Sequence, residues 1–280
     1  MNLILQGLAT DRPTIDRIAR LADAQRIVPL HAHAYRCEGV HYSETLKATI
    51  EQECLAARLD CTFIEPGRKL GEFGLVAMDM DSTLITIECI DEIADMQGLK
   101  PQVAEITEAA MRGEIEFRES LTRRVSLLKG LDASALQRVY DERLKLSPGA
   151  ETMLAAVKAA GLKTLLVSGG FTFFTDRMKT RLGLDYTHSN LLEVVDGKLT
   201  GRVVGGIVDA DEKKNTVERV CAELGITPKQ AIVMGDGAND LKMMGISGLS
   251  VAFRAKPVVR AQANVALNFV GLDGILSLFE

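Results

Sequence analysis

The chain has 280 residues, of which 25% are charged and 5% aromatic, and a formal net charge of −5. That length is generous for one domain and comfortable for two, and the lack of a long basic cluster argues against a nucleic-acid partner. No secretory n-region precedes an apolar stretch and no apolar run approaches the roughly 18 residues of a spanning helix, so the expectation is a soluble, cytoplasmic protein with no membrane partner.

The five cysteines, Cys37, Cys54, Cys61, Cys89 and Cys221, are odd in number and show no Cys-x-x-Cys spacing, which points to reduced thiols in a reducing compartment. Residues 1–71 share no motif with the rest of the chain and read as a small α+β module. Its elements are a strand at Met1–Leu8, a helix at Thr14–Ala22, one strand across Arg26–Tyr35, a helix at Thr45–Arg58 and a strand at Cys61–Ile64. The alternation resembles small amino-acid-binding regulatory modules, one strand short of their usual pattern. His31 and His33 alternate along a strand without cysteine or acid partners, so no metal is assigned to them. Pro66–Glu72 reads as a linker.

Phe73–Met78 is an apolar run that ends abruptly in Asp79 and Asp81, with Ser82 and Thr83 behind them. A parallel strand buried on both faces is near-continuously apolar, and ligands of open α/β sheets bind beyond the carboxyl ends of the strands. Two carboxylates there call for a counter-cation or a proton, and oxygen-only ligands favour a hard cation. An acidic turn after a strand reads the same dipeptide pattern equally well. Helical spacing then recurs at Ile87–Met96, Gln102–Met111 and Phe117–Leu128, separated by Gly98–Pro101 and Gly130. Leu162–Gly170 is a second strand, ending in Ser168, Gly169 and Gly170, where glycines let backbone N–H groups approach a phosphate; a tight turn is the competing reading. A helix comes next at Phe171–Leu182, then a hairpin from Leu191 to Gly201 with Asp196–Gly197 at its turn, expected to flank the site. Lys213 enters an amphipathic helix. Ala231–Gly235 is a third strand, ending in Asp236, Asn239 and Asp240.

In this order, Asp79-x-Asp81, Ser168-Gly-Gly, Lys213 and Asp236 with Asn239-Asp240 resemble the haloacid dehalogenase (HAD) superfamily of phosphotransferases. The resemblance implies a Rossmann-like α/β core over residues 72–280 with a helical cap inserted at about 87–147. It implies Asp79 as nucleophile, Asp81 as general acid/base, and Ser168 with the Gly169 and Gly170 amides on the phosphate. Lys213 would steady nucleophile and phosphate, and Mg2+ would sit on Asp79, Asp81 and Asp236, assisted by Asn239 and Asp240. An attacking carboxylate splits one hard displacement into two easier ones.

The stretches Asp79–Glu88 and Arg124–Lys129 are similar to those of family members that hydrolyse phosphoserine. That similarity implies a small-molecule substrate, O-phosphoserine, hydrolysed in the last step of serine biosynthesis. Glu88 would bind its ammonium, Arg124 its carboxylate, and Met111 and Phe117 would form the apolar wall; the planar guanidinium fork suits a carboxylate. Transfer to another small alcohol such as homoserine would use the same nucleophile and acid/base, and an amino-acid sensor centred on the N-terminal module is a different class of reading. A homodimer is compatible with the chain.

Overall fold

The computed structural model describes residues 1–111 and 114–280, the side chain of Met111 excepted. The N-terminal module contains β1 (Asn2–Gly7), α1 (Arg12–Leu21), β2 (Arg26–His31), β3 (Ala34–Glu38), α2 (Glu44–Ala56) and β4 (Leu59–Ile64). Its sheet runs β2-β3-β1-β4, with every pairing antiparallel. Leu3 and Leu5 of β1 pack on Ile15, Ile18 and Ile50 of the two helices. Both helices start at side-chain caps: Asp11 accepts from the Thr14 N–H and Ser43 from the Leu46 N–H.

The single strand expected across Arg26–Tyr35 is instead the hairpin β2–β3, so the module has four strands and lacks none. Ala32 and Ala34 carry the apolar pattern straight through the turn, and no glycine or proline marks it. Neither Ala32 nor His33 takes positive φ, so no glycine is required, and the His33 N–H donates weakly to His31 Nδ1 at 3.4 Å.

The core sheet runs β11-β10-β9-β5-β6-β7-β8. Its strands are β5 (Leu75–Met78), β6 (Lys163–Phe171), β7 (Tyr186–Val195), β8 (Lys198–Val204), β9 (Ala231–Gly235), β10 (Leu249–Phe253) and β11 (Val265–Leu267). All pairings are parallel except β7–β8. Alternate residues of β5 serve the two faces, Val76 and Met78 in one apolar cluster, Leu75 and Ala77 in the other. Because β5 is flanked by β6 and β9, the chain leaves β5 at Asp79 and β9 at Asp236 beside Ser168 of β6, which lies just past the last β6 residue paired with β5.

Between β5 and the next core helix, α7 (Ala150–Ala159), lie α3 (Cys89–Asp95), α4 (Lys100–Met111), α5 (Phe117–Ser126) and α6 (Ser134–Glu142). The fourth of these is additional to the three expected; its Ala135, Leu136 and Val139 are buried. Pro101 does not interrupt a helix but sits in the first turn of α4, where its missing N–H costs nothing. The remaining helices are α8 (Thr172–Leu182), α9 (Ala210–Glu223), α10 (Leu241–Ile246) and α11 (Pro257–Arg260). Asp196 and Gly197 both take positive φ, 50° and 73°, as a two-residue hairpin turn requires. The hairpin packs on α5, and Gly201 permits this, since a Cβ there would lie 3.0 Å from the Lys129 Cβ.

Module and core meet through Asp60, which is 1% exposed. Its carboxylate accepts from the backbone N–H groups of Asn268 at 2.7 Å, Phe269 at 3.0 Å and Val270 at 3.0 Å. Arg36 adds a bond to the Phe279 carbonyl at 3.0 Å.

Candidate active site

Past Met78 the backbone makes one wide turn, with the Leu84 N–H reaching the Asp79 carbonyl at 3.3 Å and the Ile85 N–H the Met80 carbonyl at 3.0 Å. Inside it Asp81 is extended (φ −65°, ψ 135°) and Ser82 left-handed (φ 55°). Asp79 and Asp81 thereby both line a cavity of about 810 Å³ between the core sheet and the cap.

Lys213 has no exposed surface and lies between two carboxylates, 2.8 Å from Asp79 Oδ2 and 2.8 Å from Asp240 Oδ1. A lysine near a helix N-terminus opposes the helix dipole, so these two acids hold it there. Burial would discharge the ammonium, but Asp240 and Asp79 outweigh that and keep its pKa above the ordinary value. Asp79 is pushed well above the carboxylate range by burial and by Asp240, because one ammonium cannot neutralise two buried acids. Asp240 is fully engaged: its other oxygen accepts from the Asp236 and Gly237 N–H groups, each at 3.1 Å. Gly235 makes room for it, since a Cβ would fall 2.3 Å from that oxygen.

Oxygens of Asp79, Asp236 and Asp240 come within 4.8 Å of one another. Asp240 accepts three bonds, from Lys213 and two amides, and so fixes the lysine and the loop. Each Asp79 oxygen, by contrast, has one partner, Oδ1 the Met80 N–H at 2.7 Å and Oδ2 Lys213, and keeps a lone pair, as does Asp236. Thr83 donates to Asp236 at 3.3 Å. An all-oxygen donor set among surplus negative charge suits a hard divalent cation. Burial, Asp240 and Glu88 lift Asp236 to about 7. The Asp81 carboxylate stands outside this group. It accepts from the Cys89 N–H at 3.2 Å, and burial followed by the charge of Glu88 lifts it to about 7.

Ser168 is fully buried at the site end of β6, its Oγ accepting from the Gly170 N–H at 2.8 Å. A Cβ on Gly170 would lie 2.8 Å from Asp81 Oδ2, and one on Gly169 3.1 Å from the Phe117 ring. Both glycines are close approaches of backbone to site side chains. The cap supplies Glu88, Phe117 and Arg124 to the same cavity. Glu88 accepts from Ser82 Oγ at 2.6 Å; although it is open to the cavity, the cap walls withdraw it from bulk water and raise its pKa. Arg124 bonds weakly to the Ser120 carbonyl at 3.4 Å, and burial lowers its pKa against the pull of Asp91 and Glu88. Asn239 lines the cavity, whereas the Met111 side chain lies outside the described residues.

Three contributors escaped the sequence reading. Lys256 lines the cavity and its N–H donates to the Asp236 carbonyl at 3.1 Å. It comes just after the carboxyl end of β10, so extending the strand-end rule to that strand would have found it. Asp91 lines the cap wall as one helical charge among several. Asn190 is buried, donates to the Gly169 carbonyl at 2.8 Å and accepts from the Val208 N–H at 2.9 Å, tying the glycine segment to the chain entering α9. Nothing in the sequence marks it.

A family model described as haloacid dehalogenase-like hydrolase matches residues 73–248. A phosphoserine phosphatase of Polaromonas is 60% identical over 220 residues, 77% of this chain and 93% of that protein. The crystal structure of a HAD-family hydrolase from Salmonella enterica serovar Typhi aligns over 100% of this chain and 99% of its own, with a TM-score of 0.89 and 35% identity. That alignment includes the N-terminal module. A structure described as the phospho-aspartyl intermediate analogue of phosphoserine phosphatase covers 74% of this chain and 99% of its own, at a TM-score of 0.70 and 38% identity.

Proposed function

The chain belongs to the haloacid dehalogenase-like hydrolases, and we propose that it hydrolyses O-phosphoserine to serine and phosphate with Mg2+, through an aspartyl-phosphate on Asp79, as the last step of serine biosynthesis. One observation carries the reading. The buried carboxylate of Asp79, braced by Lys213, opens into the same cavity as Glu88 and Arg124, which stand on the cap. A phosphate at Asp79 and an amino-acid head between Glu88 and Arg124 engage charged groups at both ends of that space. The phosphoserine phosphatase names of the similar proteins agree with this substrate.

Asp79 and Asp236 would hold the Mg2+, which when bound neutralises the phosphoryl oxygens and the excess carboxylate charge. An Asp79 oxygen attacks phosphorus, and the bond from phosphorus to the serine oxygen breaks. Asp81, raised to about 7, gives its proton to the departing oxygen. Asp81, now ionised, takes a proton from water as that water attacks the aspartyl-phosphate, and Asp79 is regenerated with release of phosphate. Ser168 and the Gly169 segment orient the phosphoryl oxygens, and Lys213 balances charge at Asp79 throughout. The cap and the Phe117 ring exclude bulk water from the reacting centre.

A steady-state panel of phosphomonoesters, with homoserine added as an acceptor in one arm, tests the assignment. Phosphoserine should lead the panel by kcat/KM with phosphate as the only phosphorylated product; preference for an ester without the amino-acid head, or phosphohomoserine as product, would contradict it.

A further inference from the structure

Where the N-terminal module meets the core, a second cavity of about 390 Å³ shares no lining residue with the catalytic one. Its walls are Leu8 and Arg58 from the module and Arg254, Arg260, Asn268 and Phe269 from the core. Three arginines line the space and no carboxylate does. Arg58 lies 5.5 Å over the Phe269 ring, Arg254 5.3 Å over the Phe253 ring, and Arg260 donates to Asn268 Oδ1 at 3.3 Å. Among the described residues none of the three is ion-paired. Clustered like charges repel unless an anion joins them.

The backbone fixes where two of these side chains start. Arg58 (φ 56°) and Arg254 (φ 46°) both adopt the left-handed conformation, where glycine or asparagine is more at ease. Arg58 takes it as the residue that ends α2, after the Ala57 cap, and Arg254 just past β10, so both side chains leave the ends of elements toward one cleft. The walls are also held in register, because Asp60, two residues after Arg58, bonds the backbone N–H groups of Asn268, Phe269 and Val270.

Guanidinium forks match phosphate oxygens, and three of them exceed what one singly charged group requires. Leu8, 66% exposed, and Phe269 give the cleft an apolar side. An adjoining cavity of about 490 Å³ shares Arg260 and Asn268 and is walled by Tyr42 and Phe63 together with Glu51, Asp60 and Glu65, so it suits an uncharged, hydrogen-bonding organic body rather than further phosphate. We propose that this junction binds an organic di- or triphosphate, its phosphates on Arg58, Arg254 and Arg260 and its organic part in the adjoining cavity.

Titration calorimetry of the full-length, Mg2+-loaded protein with ADP tests the site, using Arg58→Asn/Arg254→Asn because asparagine tolerates the left-handed backbone. One ADP should bind per chain, be displaced by pyrophosphate and not by phosphoserine, and bind at least tenfold more weakly to the double variant, whose KM for phosphoserine stays unchanged. Arg260→Gln, at a helical position, gives a second reading with the same expected loss should the double variant melt below the wild type. No ADP binding to the wild type, equal affinity in the variants, or displacement by phosphoserine would overturn the proposal.

Discussion

Replacing Lys213 by methionine keeps the length of the side chain and removes the ammonium shared by Asp79 and Asp240. Both contacts are 2.8 Å, and neither Lys213 nor Asp240 has any exposed surface. Deleting one partner of a buried ion pair leaves uncompensated charge and costs about 3–5 kcal/mol, of the order of a third of a typical domain's stability. Asp79, already raised by burial and Asp240, rises further without the ammonium, so its ionised, nucleophilic form becomes less favourable. A carboxyl whose folded pKa lies above its unfolded value of about 3.9 favours the folded state below that value and loses this advantage as pH climbs through the folded pKa. Lys213→Met should therefore be least stable at neutral pH and recover toward the wild type as pH falls to about 4, with kcat reduced at least about a hundredfold at pH 7. Urea denaturation at several pH values, paired with steady-state kinetics, measures both. A variant as stable as the wild type at pH 7, with kcat within a few-fold, would refute the charge balance on which the site is built.

Arg124→Ala should lower kcat/KM for phosphoserine by the equivalent of about 2–5 kcal/mol while scarcely changing a phosphate ester that lacks the amino-acid head; equal losses on both esters would assign Arg124 to phosphate or to structure. Chelation with EDTA should abolish hydrolysis and Mg2+ should restore it, as read by phosphate release; full activity in EDTA would rule out a required cation. A chain starting at Glu72 should keep the chemistry, since every assigned site residue lies beyond that point, but at lower stability, because loss of Asp60 leaves three backbone N–H groups without their acceptor at roughly 1 kcal/mol or more each. Thermal melting and turnover of the truncated chain separate the two, and a folded truncation with no activity would make the module part of the catalytic unit.

The ends of β5 and β9 were legible because each joins two strong signals, an apolar run and a polar break, Met78 to Asp79 and Gly235 to Asp236; the same break at Val167 to Ser168 marks the site although β6 runs on to Phe171. Their convergence comes from β5 lying between β6 and β9, a pairing no local pattern encodes. The hairpin turn at Asp196–Gly197 was equally readable, since its positive φ values demand those residue types. The β2–β3 turn was not, because neither Ala32 nor His33 takes positive φ and the turn therefore needs no glycine to mark it. Asn190 and Asp91 were illegible for another reason: each is a common polar residue whose role depends on a neighbour far away in the chain. Asp240 could be named as an assistant, but its engagement with Lys213 and two amides comes from the loop geometry.

Asp79 is central because its carboxylate is assigned to take the phosphoryl group, and rapid quenching of the enzyme with phosphorus-labelled phosphoserine, combined with peptide mapping, reads that directly. The label should appear on Asp79, stable in acid and released by base, and should be absent from Asp79→Asn together with turnover. Label on Ser168, or an Asp79→Asn variant that still hydrolyses phosphoserine, would contradict it.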